Sequence, residues 1–216
     1  MYVKDNMIPG PITIKADQSV SEAVDLMSEN SLHRLPVVDD QGKLIGLVTE
    51  SVISRNTPNS ASSLSVFELN YLLNKLKISD IMIKDVITIG KDALLEEAAT
   101  VLRKYDIGCL PVTEEDNRLI GIITHNDIFT AFIDLLGYNQ NGMRYVISIS
   151  EDRPGILEDI CRILKEEDIS ISNMAVYNNT RGIEVVVIAR GYDDITEKLK
   201  KAGYNVTSTM KLHQKY

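Results

Sequence analysis

The chain repeats itself. Laying Met7 on Met82 sets an offset of 75 residues that holds without a gap as far as Ile53 on Ile128. Along it Ile12-Thr13-Ile14 falls on Ile87-Thr88-Ile89, and Glu22-Ala23 on Glu97-Ala98. Leu35-Pro36-Val37 falls on Leu110-Pro111-Val112, and Leu44-Ile45-Gly46 on Leu119-Ile120-Gly121. A gapless match of that length marks two copies of one structural unit. A unit of about 50 residues buries too little surface to be comfortable alone. Two copies packed sheet to sheet are therefore expected to share one core.

Each copy reads as strand, helix, strand, strand, helix. In the first, Ser19 and Glu22 have the S-x-x-E spacing of a capping box, which satisfies the unpaired N–H groups at a helix start. Val20, Ala23, Val24 and Met27 follow at the spacing of one apolar helical face. In the second copy Leu95, Ala98, Ala99 and Leu102 repeat that face. "LPVVD" and "LIGLVT" are short apolar strands joined by the turn "DQGK", which "EDNR" replaces in the second copy. The spacing predicts the first copy over residues 1–56 and the second over 77–136.

Between them, residues 57–76 begin with a Ser-, Asn- and Thr-rich loop and end in an amphipathic helix that places Val66, Leu69, Leu72, Leu73 and Leu76 together. That face can pack on its own module or on a second subunit. After a polar linker at 137–144 the pattern changes. Over 145–216, "YVISIS" reads as a strand, and a helix follows with Leu157, Ile160, Cys161 and Leu164 on one face. Two strands come next, joined at "NNTRG", then a helix from Asp193 or Asp194 to a C-terminal Gly203, and a last strand. That order is βαββαβ, the split-βαβ ferredoxin-like arrangement. The fold class is α/β (α+β).

Composition narrows the function classes. The 216 residues carry a net charge of −8, which disfavours a binder of nucleic-acid backbone. No apolar run approaches the ~18 residues that span a bilayer, and the first ten residues lack the apolar stretch of a secretory signal. Cys109 and Cys161 are the only cysteines and make neither a disulfide framework nor a metal cluster. A cytoplasmic, acidic protein is expected, with no nucleic-acid or membrane partner.

A few positions can carry chemistry. Thr124 and Asp127 lie at T-x-x-D spacing where a strand runs into a helix. There a carboxylate can accept hydrogen bonds from both hydroxyls of a ribose, although the same spacing also makes a plain capping box. In the first copy Thr49 remains, but Val52 stands where the acid would be. His33 and Arg34 occupy the positions that are Gly108 and Cys109 in the second copy. They suit a phosphate or, equally, a solvated surface. In the last third, Asp152, Arg153, Pro154 and Gly155 precede a helix whose N-terminus is a natural seat for a carboxylate, or are an ordinary strand-to-helix turn. His125 and His213 have no partners at a recognisable spacing, and Cys109 before a buried strand reads as a small hydrophobe. No catalytic set and no metal-ligand set emerges, so no enzyme and no catalytic cofactor is expected.

"HRLPVVDDQGKLIGLVTESVI" and "GCLPVTEEDNRLIGIITHNDI" resemble the C-terminal halves of two cystathionine-β-synthase-type (CBS) motifs. Together, residues about 3–133 resemble a CBS pair, or Bateman module. "ISEDRPGILEDICRIL" with "ISNMAVY" is similar to the ACT domain, a regulatory amino-acid-binding fold, over residues about 145–210. The order CBS-CBS-ACT resembles the acetoin-utilisation regulatory protein group of bacteria.

The resemblance implies a non-enzymatic sensor of AMP, ADP, ATP or a related adenosyl compound, bound in clefts between the two motifs. Thr124 and Asp127 would meet the ribose. Val86, Ile87, Pro111 and Val112 would surround the adenine, and His33 and Arg34 of the partner motif would meet phosphate. The loss of the acid at Val52 implies one working site and one pseudo-site. In the ACT part the resemblance places an amino acid at Asp152, Gly155, Ile156, Leu157 and Asn173. It also implies a homodimer that controls a partner protein or pathway. The competing expectation is a structural interaction protein whose ligand sites have decayed.

Overall fold

Residues 1–57, 66–151, 153–180 and 182–213 are described by the computed structural model of the protein. The chain divides into two units, Met1–Ile128 and Phe129–Tyr216. The first opens with a 3-10 turn at Val3–Asp5, followed by β1 (Ile8–Pro9), α1 (Val20–Glu29), β2 (Arg34–Val38), β3 (Leu44–Thr49) and α2 (Glu50–Asn56). After α3 (Val66–Lys75), the second copy supplies α4 (Ile78–Ile81), β4 (Ile89–Gly90), α5 (Leu95–Tyr105), β5 (Cys109–Thr113), β6 (Leu119–Thr124) and α6 (His125–Leu135).

The repeat is visible in the hydrogen bonds, because each copy lends its first segment to the other. β1 pairs antiparallel with β6, Ile8 opposite Ile122, and the same offset puts Ile83 opposite Leu47. Val3 N–H donates to Ala93 O, and Ile78 N–H to Gln18 O. Leu44 N–H donates to Asn117 O, and Leu119 N–H to Gly42 O. A pseudo-two-fold axis therefore runs between the hairpins, where Lys43 bridges Arg118.

One expectation changes here. The first strand of each copy is not a single element in one sheet. Its early part (Ile8, Ile83) crosses to the other copy, and its late part (Ile14, Ile89) pairs in parallel with its own Leu-Pro-Val strand, opposite Val37 and Val112. In the first copy Pro9-Gly10-Pro11 forces the break. Prolines cannot donate to a ladder, and Gly10 takes the left-handed φ of 56° that the crossing needs.

Ser19 and Glu22 form the expected capping box, with Val20, Ala23 and Met27 buried behind it. Val24 is exposed, and Leu26 packs against the core in its stead. In the second copy Leu95, Ala98 and Leu102 are buried. Leu73 and Leu76, from α3 and the residue after it, pack against the first copy's core, so this face serves its own module. The side chains of Val66 and Leu69 lie outside the described residues, and Leu72 is exposed.

The second unit contains β7 (Gly142–Ile149), α7 (Ile156–Glu166), β8 (Ile171–Asn179), β9 (Gly182–Ala189), α8 (Thr196–Lys201) and β10 (Asn205–Leu212). The sheet order is β10-β7-β9-β8 and every pairing is antiparallel, the split-βαβ topology expected from the sequence. Alternation sorts the strand residues: Tyr145, Ile147, Val185 and Val187 join Ile160, Leu164 and Leu199 of the helices in one core. The buried face of α7 runs through Ile156, Ile160 and Leu164, while Leu157 is exposed and Cys161 half-buried. α8 starts at Thr196, later than expected, because Asp194 Oδ1 accepts both the N–H and the hydroxyl of Thr196. The division between the units falls within α6, ahead of the 137–144 linker. Gly137, with φ of 70°, leaves only 2.9 Å between an ideal Cβ and Asn173 Cβ, so this segment packs closely on the start of β8.

Candidate functional site

Two of the clefts on the first unit meet at His33, Arg34 and Gly108, and the strand exchange decides which residues each one gathers. The first, of about 390 Å³, is lined by Gly10, Pro11 and Ile12 of the first copy, by His33, Arg34 and Pro36, and by Ile122, Thr124 and His125 of the second. The second, of about 450 Å³, takes Asp85, Val86 and Ile87 from the second copy and Thr49, Glu50, Ser51 and Arg55 from the first. Both lie in the size range of small-ligand pockets.

At the first cleft Thr124 lines the wall and Asp127 is half-buried in the first turn of α6. The N–H and the hydroxyl of Thr124 both donate to Asp127 Oδ2, each at 2.7 Å. Asp127 N–H points back to Thr124 Oγ1 at 3.5 Å. This is the reciprocal pattern of a capping box, so one of the two readings of T-x-x-D is realised outright. Asp127 Oδ1 accepts no hydrogen bond among the described residues, which leaves acceptor capacity for hydroxyls of a ligand. The apolar wall is Ile8, Pro11, Ile12, Pro36 and Ile122. The main-chain N–H and C=O of Ile12 make no hydrogen bond among the described residues. A flat base edge would find both a donor and an acceptor there.

The equivalent place in the second cleft is different. Thr49 still caps its helix, its Oγ1 accepting from Val52 N–H at 3.3 Å. Val52 itself is 6% exposed and belongs to the core of the first copy. Among the described residues no carboxylate hydrogen-bonds Thr49, whose hydroxyl instead meets Ser51 Oγ at 3.0 Å.

The residues that the resemblance assigns to adenine are not brought together with Thr124. Val86 and Ile87 line the second cleft, away from Thr124 and Asp127, because the segment that carries them has crossed to β3. Pro111 and Val112 are buried and line neither cleft. The residues that do stand beside Thr124 are Pro11, Ile12 and Pro36, the repeat equivalents of Val86, Ile87 and Pro111. Nothing in one motif alone signals the exchange; the Met-Gly pairs across the repeat, Met7 with Gly121 and Met82 with Gly46, are its trace.

His33 and Arg34 line both clefts. His33 Nδ1 lies 2.9 Å from Glu50 Oε2. The Arg34 guanidinium lies over Gly108, where an ideal Cβ would stand 2.7 Å from Nη1. Burial pushes the neighbouring Cys109 thiol up, and the guanidinium of Arg34 only partly opposes this. The thiol stays protonated near neutrality, in keeping with a small hydrophobe. Among the described residues no group of His, Cys, Asp and Glu is placed to hold a metal, and no helix is long and apolar enough to cross a membrane.

In the second unit, Gly155, Ile156 and Leu157 line a cleft of about 380 Å³ with Arg153, Val176 and Val185. Asn173 is not among them. It lies three residues before Val176 on β8, hence on the opposite face of the strand, and its Nδ2 donates to Leu135 O. Asp152 lies outside the described residues. The cleft's cation, Arg153, donates to Asp159 Oδ2 at 2.7 Å, and this contact holds the Asp159 carboxyl below its usual range.

The family model for the CBS domain matches residues 3–56 and 78–134, which is more than half of the chain. The chain belongs to the CBS domain family. Its CBS pair is 33% identical over 136 residues to a CBS domain-containing protein of Dictyostelium discoideum, covering 63% of this chain and 94% of that one. It is 32% identical over 130 residues to L-aspartate semialdehyde sulfurtransferase of Methanocaldococcus jannaschii, covering 60% of this chain. The match spans only 23% of that enzyme's length.

Three solved structures resemble the CBS pair. One is the CBS domain pair of protein MJ0100 in complex with 5′-methylthioadenosine and S-adenosyl-L-methionine (TM-score 0.51, 31% identity, 61% of this chain and 95% of that one). Another is CBSX2, from Arabidopsis thaliana, in complex with AMP (TM-score 0.51, 30% identity, 62% and 96%). The third is described as an acetoin utilization protein, AcuB, from Vibrio cholerae (TM-score 0.53, 30% identity, 63% and 93%). All three matches cover about three fifths of this chain, close to the extent of the CBS pair.

Proposed function

We propose that this protein is a regulatory sensor, not an enzyme, that binds an adenine nucleotide or related adenosyl compound in the cleft headed by Thr124 and Asp127. The observation that carries this is the Asp127 carboxylate. It is pinned by two hydrogen bonds from Thr124, which itself lines a cleft of nucleoside size, and its Oδ1 accepts none among the described residues. In this reading Asp127 accepts the ribose hydroxyls and Thr124 holds the carboxylate in place. Ile12 offers its main chain to the base between Pro11 and Pro36, and Arg34 with His33 meets phosphate. Support comes from two similar CBS pairs, one solved with AMP and one with methylthioadenosine and S-adenosylmethionine. The second cleft, with Val52 in the core, is the pseudo-site.

The second unit is read as an ACT domain whose cleft at Gly155, Ile156 and Leu157 accepts an amino acid, Arg153 exchanging Asp159 for the ligand's carboxylate. The assembly is a cytoplasmic homodimer, since closed two-fold symmetry is the default for homo-oligomers, and it acts on a partner protein. A second reading, an interaction protein with decayed sites, draws on the burial of Val52.

A thermal-shift screen of AMP, ADP, ATP, NAD, S-adenosylmethionine and free amino acids separates the two. A ligand that binds only the folded state raises Tm by mass action. At least one adenosine compound is expected to do so; no shift from any of them at millimolar concentration would favour the decayed-site reading.

A further inference from the structure

We propose that Gly108 seats the Arg34 guanidinium on the wall common to the Thr124 cleft and the Thr49 cleft, so that an anionic group bound in either one excludes a second anion from the other. The inference rests on the reading of Arg34 as the phosphate contact.

Three observations carry it. Arg34, His33 and Gly108 line both clefts. An ideal Cβ on Gly108 would stand 2.7 Å from Arg34 Nη1 and 3.1 Å from Nη2, so the guanidinium occupies the space that the missing side chain leaves. The third observation is the repeat. His33 and Arg34 answer to Gly108 and Cys109, so the pseudo-two-fold that would give each cleft its own cation gives one cation to both.

Local charge makes the sharing matter. The second cleft carries Glu50, Asp85 and Asp106 against Arg34, Arg55 and His33, and His33 is engaged by Glu50 at 2.9 Å. Arg55 is turned to its own helix, its Nε donating to Ser51 O at 3.1 Å. An anion in that cleft therefore depends on Arg34. Once Arg34 is drawn to an anion beside Thr124, the second cleft is left with an excess of carboxylate. Two anions within reach of one guanidinium also repel each other at a distance shorter than the screening length.

The test is calorimetry on the full chain with inorganic pyrophosphate, which carries the anion without a nucleoside, alongside AMP and adenosine. One pyrophosphate per chain is expected for the wild type, with affinity reduced about tenfold or more in Arg34→Gln. Gly108→Ala is expected to shift pyrophosphate affinity about fivefold by displacing the guanidinium, and to have no effect in the Arg34→Gln background, a coupling that a double-mutant cycle reads directly. Two pyrophosphates per chain of similar affinity, no pyrophosphate binding by the wild type, or a Gly108→Ala effect that persists without Arg34 would each overturn the proposal. Adenosine isolates the underlying reading: its failure to bind removes the nucleoside site, while the pyrophosphate stoichiometry still decides the shared-cation inference.

Discussion

Met7 Sδ lies 2.5 Å from where a Cβ on Gly121 would be, and Met82 Sδ lies at the same distance from a Cβ on Gly46. Each methionine sits at the start of one copy and fills the space left by a glycine in the last strand of the other. The exchange of first segments is thus locked by close packing as well as by the β1–β6 ladder. Gly121→Ala should overpack this contact and cost about 1–3 kcal/mol of stability. Met7→Ala in the same chain should recover part of that loss. Urea denaturation of the single and double variants checks it; strictly additive effects would mean that the two residues do not share the space.

The exchange also decides which copy supplies the apolar wall beside Thr124. Ile12 and Ile87 are repeat equivalents, but only Ile12 stands beside Thr124. Ile12→Ala should weaken AMP binding about five- to tenfold through lost apolar contact. Ile87→Ala should weaken it several times less. Equal effects in isothermal titration would place the base elsewhere.

Glu22 offers a pH test of the capping box. Its carboxylate accepts from the main-chain N–H of Ser19 at 2.7 Å, from Gln18 Nε2 at 3.1 Å and from the Ser19 hydroxyl at 2.8 Å. These bonds, the Ser19 N–H foremost, lower its pKa from an ordinary 4.5 to about 2. A depressed carboxyl stabilises the fold fully above its unfolded pKa and loses that contribution as pH falls through the folded one. The stability gap between wild type and Glu22→Gln should therefore hold steady from neutrality to about pH 4.5 and narrow from there toward about 2. A gap unchanged at pH 2 would contradict this origin.

Much of this was legible in the sequence. The repeat, the Ser19 box and the βαββαβ order follow from local spacing, and local spacing survives folding. Thr124 and Asp127 were legible for the same reason, being three residues apart on one turn. The partners of that pair were not. Pro11, Ile12 and Pro36 reach Thr124 through strands exchanged between copies, and the offset that aligns Val86 with Pro11 cannot say which of the two lies beside which helix. Val52 reads in sequence as a position without a ribose anchor; in the fold it is a core residue of the first copy, which its spacing alone did not show. Asn173 is adjacent to the α7 cleft only in strand order, since an odd spacing along β8 sends it to the other face.

The measurement that bears most directly on the whole account is isothermal titration of AMP into the wild type and Asp127→Ala. The substitution removes a charge-assisted acceptor worth roughly 1.5–3 kcal/mol, or about 10- to 100-fold in affinity. One AMP per chain is expected for the wild type, with a loss of that size in Asp127→Ala. Binding by Asp127→Ala as tight as by the wild type would contradict it, and would leave Thr124 and Asp127 as a helix cap alone.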